Sequence, residues 1–252
     1  ARDADLVWFL ALPVRLFFGG RLGSGRQRMS WVHIDDAVAL FRRAIAQSGG
    51  AHQVIPVEEA RGIGRDLAAR LGVLPTRAGI AAVPVGRLLQ AQATLKADLI
   101  SRPDPRRWGA EVAVSVLPWQ PVMDGAIVPA RPIDRIVAGA GAGIDVMAGA
   151  TADEWNLFLV PGGAIDQIPT EVLAGAIEAS GLPVDQTLAS YRALHPGAGP
   201  GELFGAVMSD RIFRIPAIRL AEAHARSGPA TYMYEFAWRS PHLGGRLGAC
   251  HG

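Results

Sequence analysis

The chain has 252 residues, half of them hydrophobic and 19% charged, a composition that suits a globular protein with a substantial core and excludes a disordered one. Its 25 basic and 23 acidic residues leave a formal charge of +2, and the arginines interleave with acids, as at Glu58, Glu59, Arg61 and Arg65, so no basic stripe marks a nucleic-acid partner. A single cysteine, Cys250, excludes an internal disulfide and gives a thiolate metal cluster one ligand at most.

The first apolar run, "LVWFLALPV" at residues 6–14, is too short to span a bilayer. A secretory signal needs a basic flank before such a run and a small-residue cleavage site after it. Pro13 and Arg15 follow instead, so neither a signal peptide nor a membrane span is expected, and the cytoplasm is the default location. Ala1 in place of methionine points to a processed start or to a start inside a longer reading frame. "GGRLGSG" (residues 19–25) reads as a surface loop, because a phosphate cradle needs G-x-G-x-x-G or G-x-x-x-x-G-K spacing between a strand and a helix. A short strand is predicted over residues 29–34, then a helix capped by Asp35 or Asp36.

The texture changes from Arg42 on. "RAIAQSGG" predicts a buried strand that ends in a small-residue turn. The stripe Val57, Ala60, Gly64, Leu67, Ala68, Leu71 predicts a helix over residues 56–71, and Val85, Leu88, Leu89, Gln92, Leu95 predict another over 84–100. Asp124–Gly125 within "PVMDGAIVP" predicts a tight hairpin. Further helices are predicted over 132–138, 169–180, 184–194 and 201–227, and strands over 144–149 and 230–238. Strands and helices alternating through short turns give an α/β class with a mostly parallel sheet. No internal repeat is present.

Two stretches can carry chemistry. "MAGATADEWNLF" sets Asp153 and Glu154 just past a buried strand, and "LGACHG" sets His251 in a glycine turn past another. Functional groups of open α/β sheets collect at the carboxyl ends of the strands, so a carboxylate and a histidine far apart in sequence can meet there. The carboxylate would then hold the imidazole in one tautomer and stabilise the imidazolium formed in proton transfer. From residue types alone, Glu154 also reads as a helix cap and His251 as a fraying terminus. His33, His52, His195, His224 and His242 show neither H-x-x-x-H nor H-E-x-x-H spacing, so no metal site and no cofactor are expected. Cys250 adjoins His251, and neighbouring side chains diverge, which speaks against a Cys–His dyad.

From residue 40 to 252 the chain resembles the type-B carboxylesterase/lipase family of α/β-hydrolases. The resemblance rests on "LFRRAIAQSGG", "PWQPVMDGAIVPARPI", "GATADEWNLF", "RIPAIRLAEAHA" and "YMYEFAWRSPHLGGRLGACHG", in the family's order and at plausible spacing. It implies a partial α/β-hydrolase fold without the N-terminal strands, and a small-molecule ester as substrate. It further implies Glu154 as the triad acid, His251 as the triad base, and Ser48 of "QSGG" as a serine behind the active site and not the nucleophile. On that resemblance, His251 stands near the end because the family's following helix and strand are cut off.

The departures are specific. The family's nucleophile sits in a G-x-S-x-G elbow, and none of Ser24, Ser30, Ser48, Ser101, Ser115, Ser180, Ser190, Ser209, Ser227 and Ser240 has glycine at both −2 and +2. The family's glycine-rich oxyanion loop is not found either. In their place, "GGRLGSGRQRMSWVHIDD" resembles part of the sugar-nucleotide epimerase-like extended short-chain dehydrogenases, but without that family's glycine fingerprint or its Tyr-x-x-x-Lys pair: Gln92 stands four residues before Lys96. The expected organisation is an unrelated fragment at residues 1–39 joined to an incomplete esterase-like domain at 40–252, with residues 1–38 packing weakly on the remainder. A non-catalytic binding module and a nucleotide-dependent reductase-like protein are the alternative readings.

Overall fold

The computed structural model describes residues 43–252. The strand expected at 29–34, the helix after Asp35 or Asp36, the packing of residues 1–38 and His33 lie outside the described residues.

A three-stranded parallel sheet positions the site. Strand β1 (Arg43–Gln47) and strand β5 (Thr231–Phe236) flank β4 (Asp145–Thr151), with Ala46 opposite Ala148 on one side and Met233 opposite Ala148 on the other. Gly149 of central β4 is required for a steric reason. A Cβ on Gly149 would lie 2.4 Å from the Tyr234 ring and 2.5 Å from its carbonyl oxygen, so β5 approaches too closely for any side chain there. Strands β2 (Ile55–Pro56) and β3 (Val122–Met123) form a second, separate parallel pair.

Between β2 and β4 the chain runs through α1 (Val57–Leu71), α2 (Arg77–Ala81), α3 (Val85–Ser101), α4 (Pro105–Trp108), α5 (Ala110–Ser115) and α6 (Pro132–Val137). Helices α1 and α3 pack through Ile63, Leu95 and Leu99, which join Ile55, Trp108 and Val112 in one apolar cluster; of the stripe predicted for α3 only Leu88 and Leu95 turn inward, while Val85, Leu89 and Gln92 are exposed. After β4 come α7 (Asn156–Leu159), α8 (Thr170–Ala179), α9 (Val184–Leu194) and α10 (Pro200–Ser209). Leu173, Ile177, Leu188, Leu203 and Val207 join α8, α9 and α10 in a second cluster.

The hairpin expected at Asp124–Gly125 does not form, because β3 pairs in parallel with β2. Asp124 instead curls the loop around its own carboxylate, which accepts from the backbone N–H groups of Ala126, Ile127 and Val128 at 2.9–3.0 Å. Such local side-chain bonds compete with a hairpin turn.

The single helix expected over 201–227 is also divided. Its α10 portion passes into a π turn, Asp210–Arg214, before α11 (Ile215–Ala225) resumes. Pro216 supplies the local reason. It has no N–H to give the Ile212 carbonyl four residues back, and the Gln53 side-chain amide donates to that carbonyl at 2.8 Å instead. Helix α11 then lies on β4, packing Ala217 and Leu220 against Val146 and Ala148.

Candidate acid–base site

The loops that leave the carboxyl ends of β4 and β5 meet. His251 donates from its backbone N–H to the Glu154 carbonyl at 3.2 Å, and Asp153 donates from its own to the Ala249 carbonyl at 2.9 Å. The Asp153 carboxylate closes this ladder by accepting from Ala249 N–H at 2.8 Å and from Arg239 Nη1 at 3.4 Å. Gly248 is required at the corner. Its φ is +62°, and a Cβ there would stand 2.2 Å from the Asp153 carboxylate. Arg214, leaving the π turn, donates to the Ala152 carbonyl at 2.8 Å and reaches Glu235 of β5 at 3.0 Å, so one guanidinium ties together the two strands that carry the site.

This framework places Nδ1 of His251 2.7 Å from Oε2 of Glu154, although 97 residues separate them. Glu154 is wholly buried, and its other oxygen accepts from Thr151 N–H at 2.6 Å. A carboxylate opposite Nδ1 favours the tautomer with its proton there, leaving Nε2 free to take a proton. Phe213 and Phe158 wall the imidazole, with ring centroids 5.0 and 5.9 Å from it, and Trp155 packs between them at 6.1 and 4.9 Å. The Trp155 N–H donates to Ser209 Oγ at 2.9 Å, which fixes the start of the turn that bears Glu154.

The other residues singled out in the sequence lie elsewhere. Ser48 ends β1 with φ +56°, its N–H donating to the Gly149 carbonyl; among the described residues its hydroxyl makes no hydrogen bond to Glu154 or His251. His224 is a buried structural residue with both ring nitrogens engaged, by Thr231 Oγ1 at 2.8 Å and the Gly141 carbonyl at 3.3 Å. His195 caps α9 and stacks on Tyr191. Among the described residues no group of three or more histidine, cysteine or acidic side chains is placed to hold a metal ion, and no helix is long and apolar enough to cross a membrane. Asp153 stood in the sequence beside Glu154, but nothing there revealed its clamp on Ala249, whose amide is a backbone group. Phe158, Phe213, Ser209 and Arg214 carried no sequence signal of proximity to the pair.

Comparison with known proteins identifies the lineage. The carboxylesterase family profile matches residues 24–175, more than half of the chain. The chain belongs to the carboxylesterase family. This carboxylesterase-family chain is 28% identical over 220 residues to a para-nitrobenzyl esterase of Bacillus subtilis, covering 87% of the chain and 41% of that protein. A crystal structure of a Geobacillus stearothermophilus carboxylesterase superposes with a TM-score of 0.62 at 27% identity, over 82% of the chain and 40% of that structure. The described residues are thus part of an α/β-hydrolase fold, and the chain spans about two fifths of the length of these relatives. A shorter match, 53% identical over 36 residues, or 14% of the chain, joins it to an epimerase family protein of Staphylococcus epidermidis.

The Asp153 clamp leads to a local prediction. Asp153→Ala removes the partner of a buried amide and is expected to cost about 1–3 kcal/mol at the His251 loop. Amide hydrogen exchange at Ala249 is expected to quicken at least tenfold; unchanged protection there would show that the clamp holds nothing.

Proposed function

We propose that this chain carries the acid–base part of a serine carboxylic-ester hydrolase acting on small-molecule esters. The observation that carries the reading is the 2.7 Å contact between His251 Nδ1 and wholly buried Glu154, on loops at the carboxyl ends of β4 and β5, in a chain of the carboxylesterase family. In this reading His251 Nε2 takes the proton from a serine hydroxyl as it attacks the ester carbonyl, then returns it to the departing alkoxide. Glu154 orients the ring and stabilises the imidazolium. Ser48 stands behind the pair and is not the nucleophile. Residues 1–39 are read as a separate epimerase-like piece.

The same reading holds that the chain by itself turns over no ester. None of its ten serines has the flanking glycines of a nucleophile elbow. Loss of one triad member costs on the order of 10⁴ to 10⁶ in turnover, which takes a typical rate of about 10 per second below routine detection. With p-nitrophenyl acetate, the chain and its His251→Ala variant are expected to be indistinguishable, and a fluorophosphonate probe is expected to label neither. Saturable turnover that vanishes in His251→Ala, or serine labelling by the probe, would reveal a working nucleophile and overturn the inactive reading. If neither appears, restoring an elbow-bearing partner segment in the same assay tests the acid–base roles, with His251→Ala as the control.

A further inference from the structure

The π turn has a second side. Phe213 packs on His251, while Arg211 and Ile212 line a separate cavity of about 480 Å³ whose lining includes neither Phe213 nor His251. Ligand sites are commonly of this size and combine apolar walls with a few convergent polar groups. Leu182, Ile212, Ile215 and Pro216 supply apolar wall here, and π turns recur at functional sites.

The charges in this cavity are unbalanced. Arg131, Arg211 and Arg219 line it, against Glu111 and Asp210. Asp210 is already engaged, accepting from the Tyr191 hydroxyl at 2.7 Å and pairing with Arg214. Glu111 makes no ion pair within 4.0 Å among the described residues, and burial, foremost, holds its carboxyl above the usual range. Arg131 lies 3.9 Å from Asp134, whereas Arg219 and Arg211 make no ion pair among the described residues, and Arg211 is the less exposed of the two. Among the described residues Arg211 Nη1 is buried without a hydrogen-bond partner, and burial lowers its pKa, with Glu111 acting against that shift. Arg211 lines the cavity and its guanidinium makes no hydrogen bond among the described residues, so its donors are uncommitted. A guanidinium fork matches a carboxylate in geometry as well as charge.

We propose that this cavity binds a small amphipathic carboxylate, with its charged end on Arg211 and its apolar body against Ile212, Ile215 and Leu182. Hydrolysis of an ester releases an acid of this class, yet the assignment stands on the cavity and holds whether or not the chain takes part in that reaction. His52 is the natural reporter. It lines the cavity, and its Nδ1 is committed to the Gly50 carbonyl at 2.6 Å, so its ring is held in place.

The test is a titration of benzoate into the chain, followed by NMR on the His52 ring, and repeated with benzamide, with inorganic phosphate and with Arg211→Met. A saturable His52 shift with benzoate is expected, and benzamide and Arg211→Met are each expected to weaken binding roughly tenfold or more, the range for a lost charge-assisted pair. Benzamide binding as tightly as benzoate, unchanged affinity in Arg211→Met, or no saturable shift would overturn the proposal. Phosphate binding as tightly as benzoate would reduce the cavity to a patch for any anion and overturn the amphipathic assignment. If Arg211→Met fails to fold, the benzoate-to-benzamide ratio in the unaltered chain decides alone.

Discussion

Replacing Glu154 by alanine is expected to lower stability by about 2–5 kcal/mol, the cost of a large-to-small change at a buried site that also leaves an amide unsatisfied. Both oxygens of this carboxylate are in use, by Thr151 N–H at 2.6 Å and by His251 Nδ1 at 2.7 Å, and the side chain is wholly buried. Alanine leaves the Thr151 amide without an acceptor in a dry site and a void where the side chain stood. Glu154→Gln keeps the volume and both contacts, its oxygen accepting from Thr151 N–H and its NH2 donating to Nδ1 of the other imidazole tautomer, so a loss of less than about 1 kcal/mol is expected. His251→Ala removes the other partner. Because the two residues act on one contact, the double variant is expected to be less destabilised than the sum of the singles, by about 0.5–3 kcal/mol. Urea melts of the four proteins in the Glu154–His251 cycle measure that coupling. Additive effects would mean that the contact contributes nothing and that the two loops are held by the Asp153 ladder alone.

That contact also shows what the sequence could and could not convey. Periodicity foretold the bounds of α1 and α3 to within a residue at either end, but not the buried face of α3, which is Ala91, Leu95 and Leu99 while the predicted Val85, Leu89 and Gln92 are exposed. The strand ahead of Glu154 was legible as a run of small and apolar residues, although Gly149 owes its identity to the Tyr234 ring on a strand more than eighty residues later. The juxtaposition of Glu154 and His251 could be anticipated from two loops at the carboxyl ends of parallel strands, and from the family resemblance, but from no local spacing. Three features were illegible for physical reasons. Asp-Gly dipeptides usually turn hairpins, and only the structure shows that Asp124 satisfies three amides with its own carboxylate. One extra residue in a helical turn hardly disturbs a periodic pattern, so the π turn at Asp210–Arg214 passes as plain helix even with Pro216 beside it. The Asp153 clamp has a backbone partner, and any residue but proline carries that donor.

Helix α10 runs directly into the π turn, and Gly201 lets its first turn approach the Ile165 backbone closely. Gly201→Ala is expected to lower the melting temperature by about 2–12 °C, from an overpacking cost of about 1–3 kcal/mol at roughly 2–4 °C per kcal/mol for a chain of this size. A Cβ at this position would lie 1.8 Å from the Ile165 carbonyl oxygen and 2.7 Å from its carbon. Both are backbone atoms of the short 3₁₀ turn Ala164–Asp166, so no side chain can swing aside to make room. The first turn of α10 must move off that segment, and the displacement runs along the helix to Ser209, which holds the Trp155 amide, and on to Phe213 against the imidazole. Gly175→Ala is the matched control. It also sits inside a helix, but its Cβ would meet nothing within 4 Å. There the helix gains about 0.5–1 kcal/mol from the smaller backbone entropy loss, and the melting temperature should rise by about 1–4 °C. If both variants melt at the same temperature, the close approach of α10 to Ile165 imposes no steric cost.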